Sequence, residues 1–151
     1  MKKILVAVDE TEASQRAAAF VDEFFAGEGY SLTAVNVAQR PVEWLPATPY
    51  GGIAQWSYPY PVPPDESAME EDLARREAAG EAIASRQAPP GSDIEVRFGE
   101  TVAAILVAAD EVDADVIVVG SNDKGFLQRL LSGSVSEELV RSASRPVLVV
   151  R

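Results

Sequence analysis

Residues 114–150 read ADVIVVGSNDKGFLQRLLSGSVSEELVRSASRPVLVV. The run Val116-Ile-Val-Val119 is short, β-branched and unrelieved by polar residues, which predicts a strand covered on both faces. Gly120 and Ser121 end it. A second glycine–serine pair, Gly133-Ser134, then opens a segment in which Val135, Leu139 and Val140 recur at helical spacing. Arg145-Pro146 sets up a closing strand over Val147–Val150, because proline at a strand's start forfeits no ladder bond. Strand, helix and strand in this order, with the strands buried, imply a parallel β-α-β unit.

The rest of the chain repeats the rhythm. Lys3 to Val8 is another apolar run, ended by Asp9. Ala13, Ala17, Phe20, Val21 and Phe24 follow at three- and four-residue spacing, with Thr11 as N-cap and Gly27 or Gly29 as stop. Leu32 to Val37 predicts a second strand. In Ile94 to Phe98 apolar and charged residues alternate, as they do in an edge strand. Val102, Ile105, Leu106 and Ala109 mark the next helix, and Ser67 to about Arg86 a charged one with a weak stripe of Met69, Leu73 and Ile83. The expected fold is α/β: a single doubly wound domain over residues 1–151, with a five-stranded, mostly parallel sheet in the order 3-2-1-4-5 and helices on both faces. Residues 40–64 break the pattern. Seven prolines and the aromatics Trp44, Tyr50, Trp56, Tyr58 and Tyr60 leave no periodicity there, which predicts a long loop.

Composition narrows the function. The chain has 151 residues, a net charge of −11, and neither cysteine nor histidine. That charge repels nucleic-acid backbones and anionic membranes, so neither is an expected partner. No apolar run approaches the roughly 18 residues of a membrane span. Lys2-Lys3 leads into only a short apolar run before Asp9, unlike a secretory signal, and the expected location is cytoplasmic. Without His or Cys the common nucleophile–base pairs cannot be assembled, and the G-x-x-x-x-G-K-[ST] phosphate loop is missing. A slow ATPase resting on Asp9, a metal and water is the one enzymatic reading left, and significant turnover is not expected.

In open parallel sheets ligands bind beyond the carboxyl ends of the strands, where strand order reverses. Asp9, Val37 and Gly120 each stand at such an end. Between Gly120 and Ser136, Lys124 and Arg129 outnumber Asp123, giving a locally positive segment on an acidic chain. Glycines and serines flanking it are suited to presenting N–H groups to phosphate. Ser134-Val-Ser-Glu137 also fits a capping box that needs no ligand. Asp123 pulls the other way, and three roles stay open for it: repelling phosphate, pairing with Lys124 or Arg129, or reaching a cation on the phosphates.

With these segments placed, the chain resembles the universal stress protein family over essentially its whole length. KKILVAVDETEAS (2–14), Arg97-Phe98-Gly99-Glu100 and GSVSEELVRSASRPVLVV (133–150) carry the resemblance. Nucleotide-binding members have Gly, two residues, Gly, nine residues, then Gly-Ser or Gly-Thr. Gly120 and Gly133-Ser134 keep that spacing, and Asp123 replaces the middle glycine. The resemblance implies ATP or AMP as ligand, and the Asp9 carboxylate is of a kind that helps hold magnesium beside phosphates. It further implies contacts from Ala7, from Asp9 to the ribose and phosphate region, and from the Val37 backbone to adenine. Gly120, Ser121, Asn122, Gly133, Ser134, Val135 and Ser136 would cradle phosphate, and a homodimer would form through Val147–Val150. The expected function is a regulatory protein of the stress response that binds nucleotide without significant turnover. The alternative is a nucleotide-independent dimeric interaction module, using the dimer surface or the 40–64 loop.

Overall fold

The computed structural model describes residues 1–39, 66–121 and 135–151. The expected loop at 40–64 therefore lies outside the described residues, as do Asn122, Asp123, Lys124, Arg129, Gly133 and Ser134. Five strands, β1 (Lys2–Ala7), β2 (Tyr30–Ala38), β3 (Asp93–Phe98), β4 (Val116–Gly120) and β5 (Val147–Val150), form one sheet in the order β3-β2-β1-β4-β5. All the pairings are parallel. The expected strand order is the observed one.

Period-two alternation sends each strand's side chains to two separate cores. On one face Leu5, Val35, Ile117 and Val119 meet Val102, Ile105 and Ala108 of α3 (Thr101–Glu111) and Leu139 of α4 (Val135–Ser142). On the other, Ile4, Val6, Leu32, Ala34 and Val118 meet Ala17 and Val21 of α1 (Glu12–Phe25) and Ala84 of α2 (Glu66–Gln87). Leu5, Ile117, Ile105 and Leu139 are fully buried. Each such side chain contributes about 1.5–3 kcal/mol by leaving water, and the doubled core is why these strands read as unbroken apolar runs.

α2 departs from the expected stripe. Met69 and Leu73 remain 39% and 38% exposed, and the buried positions of the helix are Gly80 and Ala84. A Cβ on Gly80 would stand 2.8 Å from Val96 Cγ1 and 3.0 Å from Asn36 Oδ1. The helix thus lies close on β2 and β3 through small residues, a contact that hydrophobic periodicity cannot register.

At the amino ends of the strands, Lys2 Nζ lies 2.8 Å from Asp115 Oδ1, and the Lys3 N–H donates to Asp115 Oδ2 at 2.9 Å. The hydrogen bond from Lys2, then that from the Lys3 amide, hold the Asp115 carboxyl below its ordinary range. Arg145, just ahead of β5, pairs with Asp110 and Asp113 and donates to the Ala114 carbonyl. These contacts fix where β4 and β5 begin, at the end of the sheet opposite the carboxyl ends of the strands.

Candidate functional site

Strand order reverses at β1, with β2 and β3 on one side and β4 and β5 on the other. Helices leave such a point in opposite directions and open a crevice at the carboxyl ends. A cavity of about 240 Å³ lies there. Ala7, Val35, Val37, Ile105 and Val119 give it an apolar wall. Among the described residues its polar side chains are Asp9, Thr11, Ser14 and Thr101, and Val8, Gly120 and Val135 also line it.

Asp9 is held in place by its neighbours. An aspartate just before a helix is often the cap, but here Thr11 caps α1, its Oγ1 accepting from the Ser14 N–H at 3.2 Å. Asp9 Oδ1 accepts from the Thr11 N–H at 2.8 Å and from Thr11 Oγ1 at 2.6 Å, and the Asp9 N–H donates to Ser14 Oγ at 2.8 Å. Ser14 is buried. The three residues form a closed set of hydrogen bonds that orients the carboxylate. Asp9 Oδ2 accepts no hydrogen bond from a described residue. A carboxylate with one oxygen fixed and the other open can accept from a sugar hydroxyl or share a cation.

Beside it, Asn36 Nδ2 donates to the Val8 carbonyl at 2.8 Å from a buried position. The Val8 N–H donates to the Val35 carbonyl at 2.9 Å. These bonds carry the β1–β2 pairing past the last registered residues. They fix the end of β1 against β2 at the lip of the crevice, and Val37, in register with Arg97 of β3, stands at its rim.

Gly120 is needed by the scaffold itself. A Cβ there would fall 2.0 Å from the Ala13 carbonyl oxygen and 2.2 Å from its carbon. The first turn of α1 rests directly on the end of β4. At Ser121 the N–H donates to the Val150 carbonyl at 2.8 Å, and the carbonyl accepts from Arg16 Nη2 at 3.1 Å. Arg16 Nε is buried with no hydrogen-bond partner among the described residues. A cation thus reaches from α1 to the exit of β4, where the chain enters the positive segment.

Ala7, Asp9, Val37, Gly120 and Val135 of the expected set meet at one cavity. Ser121 sits just outside its lining, tied to β5 and α1. Ser136 is buried and does not line it either. Glu137 pairs with Arg141 at 2.8 Å, and Ser134, the other member of the capping-box reading, lies outside the described residues. Among the described residues no group of three or more Asp or Glu is placed to hold a metal ion.

Thr101 and Ile105 also line the cavity, and neither is among the site residues expected from the sequence. Both belong to α3, which follows the edge strand, whereas the strand-end rule pointed to β1, β2 and β4. The one local signal was Gly99-Glu100. Glu100 caps α3, its carboxylate accepting from the Ala103 N–H at 2.8 Å and the Val102 N–H at 3.0 Å. Those backbone donors, Ala103 first, hold the carboxyl below its ordinary range.

The sequence model of the universal stress protein family matches residues 1–151. A universal stress protein of Thermus aquaticus is 31% identical over 150 residues, covering 99% of this chain and 98% of the relative. The stress response protein NhaX of Bacillus subtilis is 32% identical over 105 residues, and that match spans 67% of this chain and 62% of the relative. A solved universal stress protein in complex with cAMP superposes with a TM-score of 0.60 at 20% identity, covering 99% of this chain and 96% of that one. The Archaeoglobus fulgidus protein in complex with dAMP gives 0.50 at 22%, covering 100% and 98%. At those identities the two structures show the shared fold.

Proposed function

This chain belongs to the universal stress protein family, and we propose that it holds an adenine nucleotide, ATP or AMP, in the crevice at the ends of β1, β2 and β4. In this reading it acts in the cytoplasm as a regulator in the stress response, without significant turnover. The observation that carries the proposal is the cavity itself, which sets an apolar wall beside a carboxylate with one oxygen held and the other open. A base suits the wall and a ribose suits the carboxylate. Solved relatives in complex with cAMP and with dAMP support the same ligand class. Magnesium, where it takes part, arrives on the phosphates and is shared with Asp9.

Titration calorimetry with ATP, ADP and AMP, with and without magnesium, tests the proposal. Micromolar dissociation constants are expected, and no detectable binding of any of the three would sink it. Removing the negative charge at Asp123 is expected to tighten ATP binding by about tenfold, the equivalent of ~1.4 kcal/mol of phosphate repulsion relieved. If Asp123→Gly instead weakens binding, and only when magnesium is present, the residue serves the cation.

Asp123, in place of the motif's second glycine, also supports a second reading, a nucleotide-independent interaction module. Both readings include a homodimer through β5, an edge strand whose four residues are all half-buried valines and a leucine. An unpaired apolar edge is a ready site for a second copy. Val149→Lys should convert the dimer to a monomer in analytical ultracentrifugation, and an unchanged sedimentation coefficient would place the contact elsewhere.

A further inference from the structure

The hydroxyls of Thr11 and Ser14 are engaged within the Asp9 set, which leaves Thr101, among the described residues lining the cavity, as the other unspent polar group. Its side chain makes no hydrogen bond with a described residue. Thr101 is the first residue of α3, half-buried, and shares the cavity with Ile105 and Val37. Its backbone is fixed by Glu100, whose carboxylate takes the next two N–H groups.

In the nucleotide reading, Glu100 also bears on which way round the ligand lies. A helix start attracts phosphate through its unpaired N–H groups and the positive end of its dipole. At α3 a carboxylate has taken those donors and contributes a negative charge of its own. Phosphates are therefore turned away from α3 and toward the exit of β4, where Arg16 reaches Ser121. The base is left against Ile105, Val37 and Thr101.

We propose that the Thr101 hydroxyl accepts a hydrogen bond from the exocyclic amino group of the base and so favours an aminopurine over a purine that lacks the group. This rests on the nucleotide reading above. A pocket that pairs with a ligand N–H discriminates against an analogue lacking it, because the pocket's own polar group is then left without a partner.

The test compares AMP with purine riboside 5′-monophosphate, which lacks the amino group, by calorimetry on the full chain. The unaltered protein should prefer AMP by about five- to tenfold, the value of one neutral hydrogen bond. In Thr101→Val the preference should vanish, chiefly through loss of AMP affinity, and Thr101→Ser should keep it. A preference that persists in Thr101→Val overturns the proposal. So does an equal loss for both ligands, which would make Thr101 a matter of shape alone. If the unaltered chain binds neither ligand, the nucleotide reading falls and this inference with it. Binding of AMP with selectivity independent of Thr101 removes only the inference.

Discussion

Gly120→Ala is expected to cost about 3 kcal/mol of folding stability, toward the upper end of what overpacking does. The added methyl would sit 2.0 Å from the Ala13 carbonyl oxygen and 2.8 Å from the Ser14 nitrogen, and both are helix backbone. A side chain in its way could rotate; a helix must move as a body. α1 could retreat only by giving up the contacts of Ala17 and Val21 in the core and the Arg16 bond to Ser121. Urea denaturation followed by circular dichroism reads the loss directly. Gly80→Ala supplies the contrast. There the obstacles are side-chain atoms of Val96 and Asn36 at 2.8 and 3.0 Å, and about 1 kcal/mol is expected. Equal midpoints for Gly120→Ala and the unaltered chain would show that α1 does not rest on β4 as described.

The second large effect is on binding. Asp9→Asn keeps a carbonyl oxygen that can accept from Thr11, so the start of α1 should hold and stability should change little. The open oxygen becomes an amide donor and the charge is lost. A carboxylate–hydroxyl hydrogen bond is worth about 1.5–3 kcal/mol, so nucleotide affinity should fall by about ten- to a hundredfold. Asp9→Ala should show the same loss of affinity with added destabilisation, because Thr11 loses its acceptor and the cap loosens. The two variants together separate ligand contact from scaffolding. Unchanged nucleotide affinity in both would remove Asp9 from the site.

Much of the fold was legible because a doubly wound sheet writes itself plainly. A strand buried on both faces must be apolar throughout, as Val116–Val119 is. A crossover helix needs a cap and a stripe, as Thr11, Ala17 and Val21 supply. α2 was legible in extent but not in contact, since closeness through Gly80 and Ala84 leaves no apolar stripe. At the site, the ends of β1, β2 and β4 could be named from topology, and Ala7, Asp9, Val37, Gly120 and Val135 share one cavity. Two facts could not be read from the sequence. The requirement for Gly120 comes from α1, a hundred residues away in sequence. Thr101 reaches the cavity because α3 packs back from the exit of β3 onto the core residues of β1, β2 and β4, a long-range arrangement that the one local signal, Gly99-Glu100, does not convey.

The small-residue face of α2 has a consequence for how the molecule breathes. A helix joined to the sheet by a glycine and an alanine loses little apolar burial when it departs, whereas the β1–β4 centre would expose Leu5, Val6, Ile117 and Val118. Local opening draws on the least buried unit first. Amide hydrogens along α2 are therefore expected to exchange faster than those of β1 and β4, and equal protection in a hydrogen-exchange measurement would show that α2 opens only with the whole fold.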